Sequence, residues 1–250
     1  MQTTTSLPTH FNLTDLASIH PDRLEQMLGS QPYHHLQMFV LLKSFINLLM
    51  GEPTLEAVEE MTTVMVDTPA SEMAAHYLSR DPACAALIRD RYIPPIYDLD
   101  ALLTYPQDSL GYIYASTMKA TGYDPNLHIG MTAETDARYV ELRLSQTHDI
   151  WHIVTGFDTS VVGELGLQAL HLTQFPYPMG TMLVANGLIS STLMTPETLP
   201  ELVRAIALGL EMGKNAKPLF AQKWEEAWEK PLTHWQAELQ ITGLPVSGSL

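Results

Sequence analysis

The chain has 250 residues, of which 46% are hydrophobic and only 16% are charged, so much of it must be buried or face an apolar partner. A formal net charge of −15 sets 13 Lys and Arg against 28 Asp and Glu. This balance argues against nucleic-acid binding, which needs a basic stripe, and against purely electrostatic attachment to an anionic membrane surface.

The N-terminal region is not expected to act as a targeting signal. Residues 1–20 are rich in Thr, Ser and His and predict an irregular arm, without the basic and apolar regions of a signal or transit peptide. No stretch of the sequence reaches the roughly 20 apolar residues that a transmembrane helix requires. These features predict a cytoplasmic protein of the bacterial type.

Apolar residues at helical spacing dominate residues 21–243, which we interpret as one multi-helix domain. In the first half this spacing predicts a helix over residues 24–51, a second helix that begins after a cap at Thr54, and two more over residues 71–78 and 82–92. The Pro-Pro pair at positions 94 and 95 breaks the pattern, so we predict a sub-boundary near residues 93–98.

The second half of the chain also predicts helices only. They cover residues 99–103, 109–121, 135–156, 160–174, 179–194, 196–211 and 218–238. No segment alternates polar and apolar residues in the manner of a half-buried strand. The sequence therefore predicts an all-α fold.

One group of imidazoles and carboxylates has the spacing of a metal site. His148 and His152 are four residues apart and so share a helix face, Asp149 lies three residues before His152, and Glu164 begins the next helix. The donors predict a divalent ion between two helices: the imidazoles favour Zn, Fe or Mn, and the carboxylates leave Mg open.

Each member of this group also has an ordinary explanation. The His pair and Asp149 can be surface residues, and Glu164 can be an acid favoured by the helix dipole. However, Glu164 fits no capping box, its neighbours are apolar, and residues 144–203 contain no Lys or Arg. A buried carboxylate there needs a cation, and a metal ion is one way to supply it.

Residues 165–194 contain no Asp, Glu, Lys or Arg. A pair of buried core helices is the usual explanation for such a composition. The functional alternative is the wall of an apolar tunnel that binds a long lipid tail, or a patch that faces a membrane. Small residues at Gly180, Ala185, Gly187, Ser190 and Ser191 would allow a lipid chain or another helix to approach closely.

These motifs resemble the coenzyme Q biosynthesis protein four family. The family signature, His-Asp-x-x-His followed by Glu after eleven residues, is present at His148, Asp149, His152 and Glu164 without a change in spacing. The resemblance extends from Tyr97 to Ile241. Its other blocks are Leu99 to Leu103 with Ser109 to Gly111 and Tyr114, then Arg143, then Gly163 to Leu165, Lys223 to Glu225, and Glu238 to Ile241.

The resemblance implies an all-helical, peripheral membrane protein of quinone biosynthesis. It implies a divalent metal at the four signature residues and a polyprenylated aromatic acid as substrate. The implied reaction is oxidative removal of the ring C1 carboxyl, which would make the protein a lyase. It also implies association with other quinone-biosynthesis enzymes, and we expect a homo-oligomer.

Four further residues are predicted to contact the substrate. Tyr112, Tyr114 and Trp151 are candidate walls of the pocket. Arg143 can pair with a substrate carboxylate, but it lies about 140° around the helix from His148. Unless the helix bends, this angle favours a structural salt bridge for Arg143.

Two other functions match parts of the sequence. A phosphohydrolase with an adjacent His-Asp pair needs a further Asp downstream, and no Asp follows Asp158. A non-catalytic carrier of isoprenoid lipid or isoprenyl phosphate, or a scaffold for quinone-pathway enzymes, stays open because a family motif does not establish turnover.

Overall fold

The computed structural model describes residues 32–50 and 55–245. Within these ranges the regular structure is helical, and the only β pairing is an isolated bridge between Ser109 and Pro231. The all-α prediction is therefore confirmed. The predicted arm at residues 1–20 and the first part of the first predicted helix lie outside the described residues.

Eleven α-helices and two short 3₁₀ helices fall within the described ranges. None of these helices combines the length and the apolar character that crossing a membrane requires. The α-helices are α1 (Pro32–Leu49), α2 (Leu55–Met65), α3 (Pro69–Leu78), α4 (Pro82–Asp90), α5 (Leu99–Leu102), α6 (Leu110–Thr121), α7 (Asp136–Thr155), α8 (Val161–Gln174), α9 (Pro178–Met194), α10 (Leu199–Asn215) and α11 (Leu232–Glu238). The 3₁₀ helices are Pro196–Thr198 and Trp224–Glu226.

The chain divides into two compact units, Met1–Val64 and Met65–Leu250. In the first unit, Ser44 donates a hydrogen bond to the Glu60 carboxylate at 2.9 Å, which joins α1 to α2. Helices α3 to α11 belong to the second unit, which contains every residue of the predicted metal site.

The predicted helix over residues 218–238 is wrong for most of its length. Only its last part forms α11, after the 3₁₀ helix Trp224–Glu226 and an irregular stretch that ends at Pro231. Proline has no N–H to donate and disfavours helix in the residue before it. Backbone carbonyls of this stretch are thereby free to accept from α6, as in the 2.8 Å hydrogen bond from Gly111 N to Trp228 O.

A buried ion pair joins this C-terminal segment to α7. The Arg143 guanidinium donates two hydrogen bonds to the Glu225 carboxylate at 2.7 and 3.0 Å, and 1% or less of either side chain is exposed. The Tyr97 hydroxyl donates to the same carboxylate at 2.6 Å. Removal of one partner from such a pair strongly destabilises the fold, because the other charge is then left buried alone.

Helix α8 packs most extensively against α10, and glycines make this contact close. A Cβ built at Gly209 would lie 2.0 Å from the Gly166 carbonyl oxygen, and one at Gly213 would lie 2.4 Å from the Leu170 carbonyl oxygen. No side chain fits at these distances. The backbone of α8, which carries Glu164, is therefore positioned directly by the backbone of α10.

We predict that Gly209→Ala lowers the free energy of unfolding by about 1–3 kcal/mol, because the new methyl group must push α8 and α10 apart. Urea denaturation followed by circular dichroism measures this loss. Ala207→Ser adds one atom on the exposed side of the same helix and should stay within about 0.5 kcal/mol of the wild type. Equal stability of Gly209→Ala and Ala207→Ser would contradict the close helix contact.

Candidate metal centre

Helix α7 brings His148 and His152 onto one face, one turn apart. The Thr135 side chain caps its first turn by accepting from Arg138 N. Its last turn ends at Gly156, whose φ of 77° is readily adopted only by glycine and whose N–H donates to the His152 carbonyl at 2.8 Å. Both histidines therefore lie near the end of a well-defined helix.

A short turn then places Glu164 opposite the two histidines. Ser160 caps α8 by accepting from Gly163 N at 3.1 Å, and Asp158 accepts from Ser160 N at 3.0 Å. A Cβ at Gly163 would lie 2.2 Å from the Asp158 carbonyl oxygen, so only glycine allows the turn to close this tightly. Glu164 consequently lies in the first turn of α8 and points back toward α7.

The three side chains converge on one point. His152 Nε2 lies 3.1 Å from one oxygen of Glu164, and His148 Nε2 lies 3.4 Å from the other. The two Nε2 atoms are 3.0 Å apart. One ligand atom from each residue falls within 4.8 Å of the other two, which is the geometry of a candidate metal site.

The tautomer of His152 limits which partners its second ring nitrogen can have. Its Nδ1 lies 2.9 Å from the Phe157 carbonyl oxygen, which can only accept, so Nδ1 carries the proton. In the neutral ring, Nε2 then carries no proton, and its lone pair points at the Glu164 carboxylate. This lone pair can accept a hydrogen bond from His148 Nε2 at 3.0 Å, take up a proton that it shares with Glu164 at 3.1 Å, or bind a metal ion.

The pKa values reflect the same contacts. Burial alone would raise the pKa of Glu164, but hydrogen bonds from His148 and His152 hold it well below its usual range. Burial alone would lower the pKa of His152, whereas the hydrogen bond to Glu164 and its charge raise the pKa overall. Both shifts favour a proton on His152 next to the carboxylate when no ion is bound.

The cluster is accessible on one side. About a third of the His148 and Glu164 side chains is exposed, 35% and 36%, against 7% for His152. An ion held by the three residues would therefore have a position open to a substrate oxygen, as catalytic sites require.

Asp149, the fourth predicted ligand, is not part of this cluster. It follows His148 directly and is therefore rotated by about 100° around the helix axis. Its charge still acts nearby, since it contributes to the raised pKa values of His152 and Tyr114. The structure brings together three of the four residues of the signature.

The predicted substrate residues occupy different environments. Arg143 is bound to Glu225 in the buried pair described above, so its guanidinium is not available to a substrate carboxylate. Tyr114 is buried with its ring 5.1 Å from that of Trp228, and Tyr112 is partly buried at the start of α6. The structure assigns Arg143 and Tyr114 to packing of the C-terminal segment.

Trp151 is the predicted wall residue that lies closest in sequence to the cluster ligands. Its ring is buried and stacks on that of His171, with centroids 4.5 Å apart and planes inclined by 10°. Burial lowers the pKa of His171 to about 3, so this imidazole is neutral. Sequence reasoning missed His171, although it follows Glu164 by seven residues and so shares its helix face.

A lipid tunnel through α9 is not established by the described residues. A Cβ at Gly187 would lie 2.1 Å from a methyl carbon of Leu165, so this small residue serves helix packing. An open cleft of about 630 Å³ lies elsewhere and is lined by α3, α4 and the start of α7. By contrast, Ile189, Leu193 and Met194 of α9 are exposed apolar side chains.

Comparison with known proteins places these features in a family. The model of the family described as coenzyme Q (ubiquinone) biosynthesis protein Coq4 matches residues 34–245. A crystal structure of a proposed ubiquinone biosynthesis protein from Nostoc punctiforme PCC 73102 superposes with a TM-score of 0.74 and 30% identity. The match covers 81% of this chain and 97% of that one.

Curated relatives are similar at lower coverage. The mitochondrial ubiquinone biosynthesis protein COQ4 homolog of Aedes aegypti is 27% identical over 152 residues, which is 60% of this chain and 54% of the relative. The mitochondrial COQ4 protein of Eremothecium gossypii is 30% identical over 151 residues, 59% of this chain and 46% of the relative. The chain thus spans about half the length of these curated relatives.

Proposed function

The chain belongs to the Coq4 family of coenzyme Q (ubiquinone) biosynthesis proteins, and on that premise we propose a metal-dependent role in making a ubiquinone-type quinone. The protein binds a polyprenylated aromatic acid and supports oxidative removal of its C1 carboxyl group. The observation that carries this proposal is the convergence of His148, His152 and Glu164 on one partly exposed point.

The donor set fits a divalent ion. Two imidazole nitrogens and one carboxylate with an open side form a common ligand set for catalytic Zn²⁺, Fe²⁺ and Mn²⁺, and Mg²⁺ can also use the carboxylate. The hydrogen bond from His152 Nδ1 to the Phe157 carbonyl orients Nε2 toward Glu164, as backbone acceptors commonly orient metal-binding histidines. When bound, the ion supplies Lewis acidity to the ring acid.

The protein residues then have separate tasks. His148, His152 and Glu164 would hold the ion and leave one side open to the head group. The buried rings of Trp151 and His171 stack on each other and join α7 to α8 close to the ligands in sequence. No Lys or Arg lies between residues 144 and 203, so an anionic head group depends on the ion for charge compensation.

We assign the prenyl tail and the membrane surface to α9. Its 17 residues include no charge, and side chains such as Leu193 and Met194 are exposed at its end. Burial of a prenyl tail is worth about 0.8 kcal/mol per CH₂, so an uncharged helix is a suitable contact. The proposal includes peripheral attachment to a membrane, self-association, and association with other quinone-biosynthesis enzymes.

Metal binding is expected to depend on pH through His152. The raised pKa of His152 means that a proton occupies Nε2 up to a higher pH than in an ordinary histidine. Below that pKa the Mn²⁺ affinity should fall by about tenfold per pH unit, because one proton must leave for each ion bound. Titration calorimetry with Mn²⁺ between pH 5 and 8.5 measures this slope. A constant affinity down to pH 5 would contradict it.

Turnover is tested with purified protein, Mn²⁺ or Fe²⁺, and a 4-hydroxybenzoate that carries a short prenyl chain. Oxygen-dependent release of CO₂, followed by mass spectrometry of the product, supports the enzyme. Tight binding of the compound without CO₂ release favours a non-catalytic carrier, and the absence of binding overturns the proposal.

A further inference from the structure

A second polar feature shares the helix faces of the metal cluster. On α7, Glu141 precedes His148 by two helical turns, and Ser145 lies between them on the same face. On α8, Gln168 follows Glu164 by one turn. These three α7 residues are neither fully buried nor fully exposed, and they form a polar stripe that runs from the cluster toward Glu141.

Glu141 closes the far end of this stripe. Its two carboxylate oxygens accept from the Tyr177 hydroxyl at 2.9 and 3.1 Å. Tyr177 is buried immediately before α9, and its ring lies 5.3 Å from that of His171. Burial raises the pKa of Glu141 to about 7 despite the hydrogen bond from Tyr177. The stripe thus ends in a group that can accept or donate a proton near neutral pH.

Gln168 supplies an independent sign that a partner is missing. Its side-chain carbonyl oxygen is buried and has no hydrogen-bond partner among the described residues, and only 7% of the residue is exposed. Leaving a buried acceptor unpaired is unfavourable, so native proteins nearly always provide a donor. A bound ligand with a hydroxyl group is one such donor.

Gly180 lies beside this oxygen. A Cβ at Gly180 would lie 3.3 Å from Gln168 Oε1 and 3.0 Å from the Tyr177 ring. The glycine therefore brings the backbone of α9 close to both groups, where a larger residue would be crowded. Ser145 likewise carries only a short side chain, whose Oγ donates to the Glu141 backbone carbonyl at 3.0 Å.

The length of the stripe selects the size of the ligand. His148 follows Glu141 by seven positions, which corresponds to a rise of about 10 Å along the helix axis. A metal–oxygen bond of about 2 Å and a hydrogen bond of about 2.7 Å take up nearly half of this length. The remainder suits one six-membered ring with oxygen substituents at opposite ends.

We propose that Gln168 and the Glu141–Tyr177 pair form a subsite that recognises the ring hydroxyl opposite the acid group held at the metal cluster. Gln168 Oε1 accepts the hydrogen bond from this hydroxyl, and the Glu141–Tyr177 pair forms the end of the subsite that lies farthest from the metal cluster. The inference rests on the proposed function and adds to it the position of the second ring substituent.

The test compares two ligands and two protein variants. The ligands are a short-chain 3-prenyl-4-hydroxybenzoate and the same compound without the hydroxyl, each titrated into full-length protein with saturating Mn²⁺. Wild type should bind the hydroxylated compound about tenfold more tightly, which corresponds to about 1.4 kcal/mol. In the Gln168→Leu variant the two compounds should bind with nearly equal affinity, while the affinity for the deoxy compound stays unchanged.

Further variants separate recognition from a structural effect. Glu141→Gln keeps a hydrogen-bonding side chain and should reduce the preference only in part, whereas Gln107→Leu, an exposed site, should leave it intact. An unchanged preference in Gln168→Leu overturns the subsite while the proposed function stands. Failure of wild type to bind either compound overturns both.

Discussion

Substituting His152 or Glu164 by alanine is expected to reduce the bound divalent ion from about one per chain to none. Each substitution removes one of three converging ligand atoms. Loss of an outer-shell partner alone costs roughly 10–100-fold in metal affinity, and loss of a direct ligand should exceed the upper end of that range. Among the predicted effects on binding, this is the largest.

Native mass spectrometry after reconstitution with Mn²⁺ and desalting measures the stoichiometry. His76→Ala and Glu197→Ala are matched controls, because both residues are exposed and lie outside the cluster. The controls should keep the full ion content. If either cluster variant retained as much metal as its control, the site would be excluded.

The largest effect on stability is expected from Glu225→Ala. The substitution leaves the Arg143 guanidinium buried without its counter-charge and removes the acceptor of the Tyr97 hydroxyl. Breaking a buried pair in this manner costs about 3–5 kcal/mol. At about 2–4 °C per kcal/mol for a protein of this size, the melting temperature should fall by roughly 10 °C.

Glu226→Ala is the control for this measurement. Glu226 is the next residue along the chain, and its only ion pair in the described structure is an exposed one with Lys223 at 3.4 Å. Surface pairs of this kind contribute about 0–1 kcal/mol. Thermal unfolding should therefore separate the two neighbouring variants clearly, and similar melting temperatures would show that the buried pair does not anchor the C-terminal segment.

Local sequence signals predicted the helices well where side chains act on the nearby backbone. Thr135 and Ser160 cap α7 and α8, and Gly156 ends α7, as the residue types indicate. The helical period likewise predicted that His148 and His152 share a face. These features depend on contacts within a few residues, which a single sequence contains.

The C-terminal segment was predicted wrongly because its structure depends on distant partners. Glu225 is 82 residues from Arg143, and no periodicity reveals such a pair. The backbone before Pro231 is held by α6 through Gly111, a contact that helical propensity cannot anticipate. Tertiary hydrogen bonds outweigh local preference in this segment.

The absence of nearby cations in the sequence does not by itself identify the partner of Glu164. The lack of Lys and Arg in residues 144–203 correctly predicts that Glu164 needs another positive partner. In the structure that partner is the imidazole pair, with His152 at 3.1 Å, and the raised pKa of His152 favours a proton at this contact. Asp149 shows a similar limit, since adjacency in the motif does not place it at the cluster.

Anomalous diffraction from crystals grown with Mn²⁺ tests the central claim most directly. We predict one anomalous peak at the cluster, about 2.0–2.2 Å from His148 Nε2, His152 Nε2 and an oxygen of Glu164. The contradicting result is an intact contact between His152 and Glu164 with no peak between them at saturating Mn²⁺, since a proton would then be the only cation that this cluster holds.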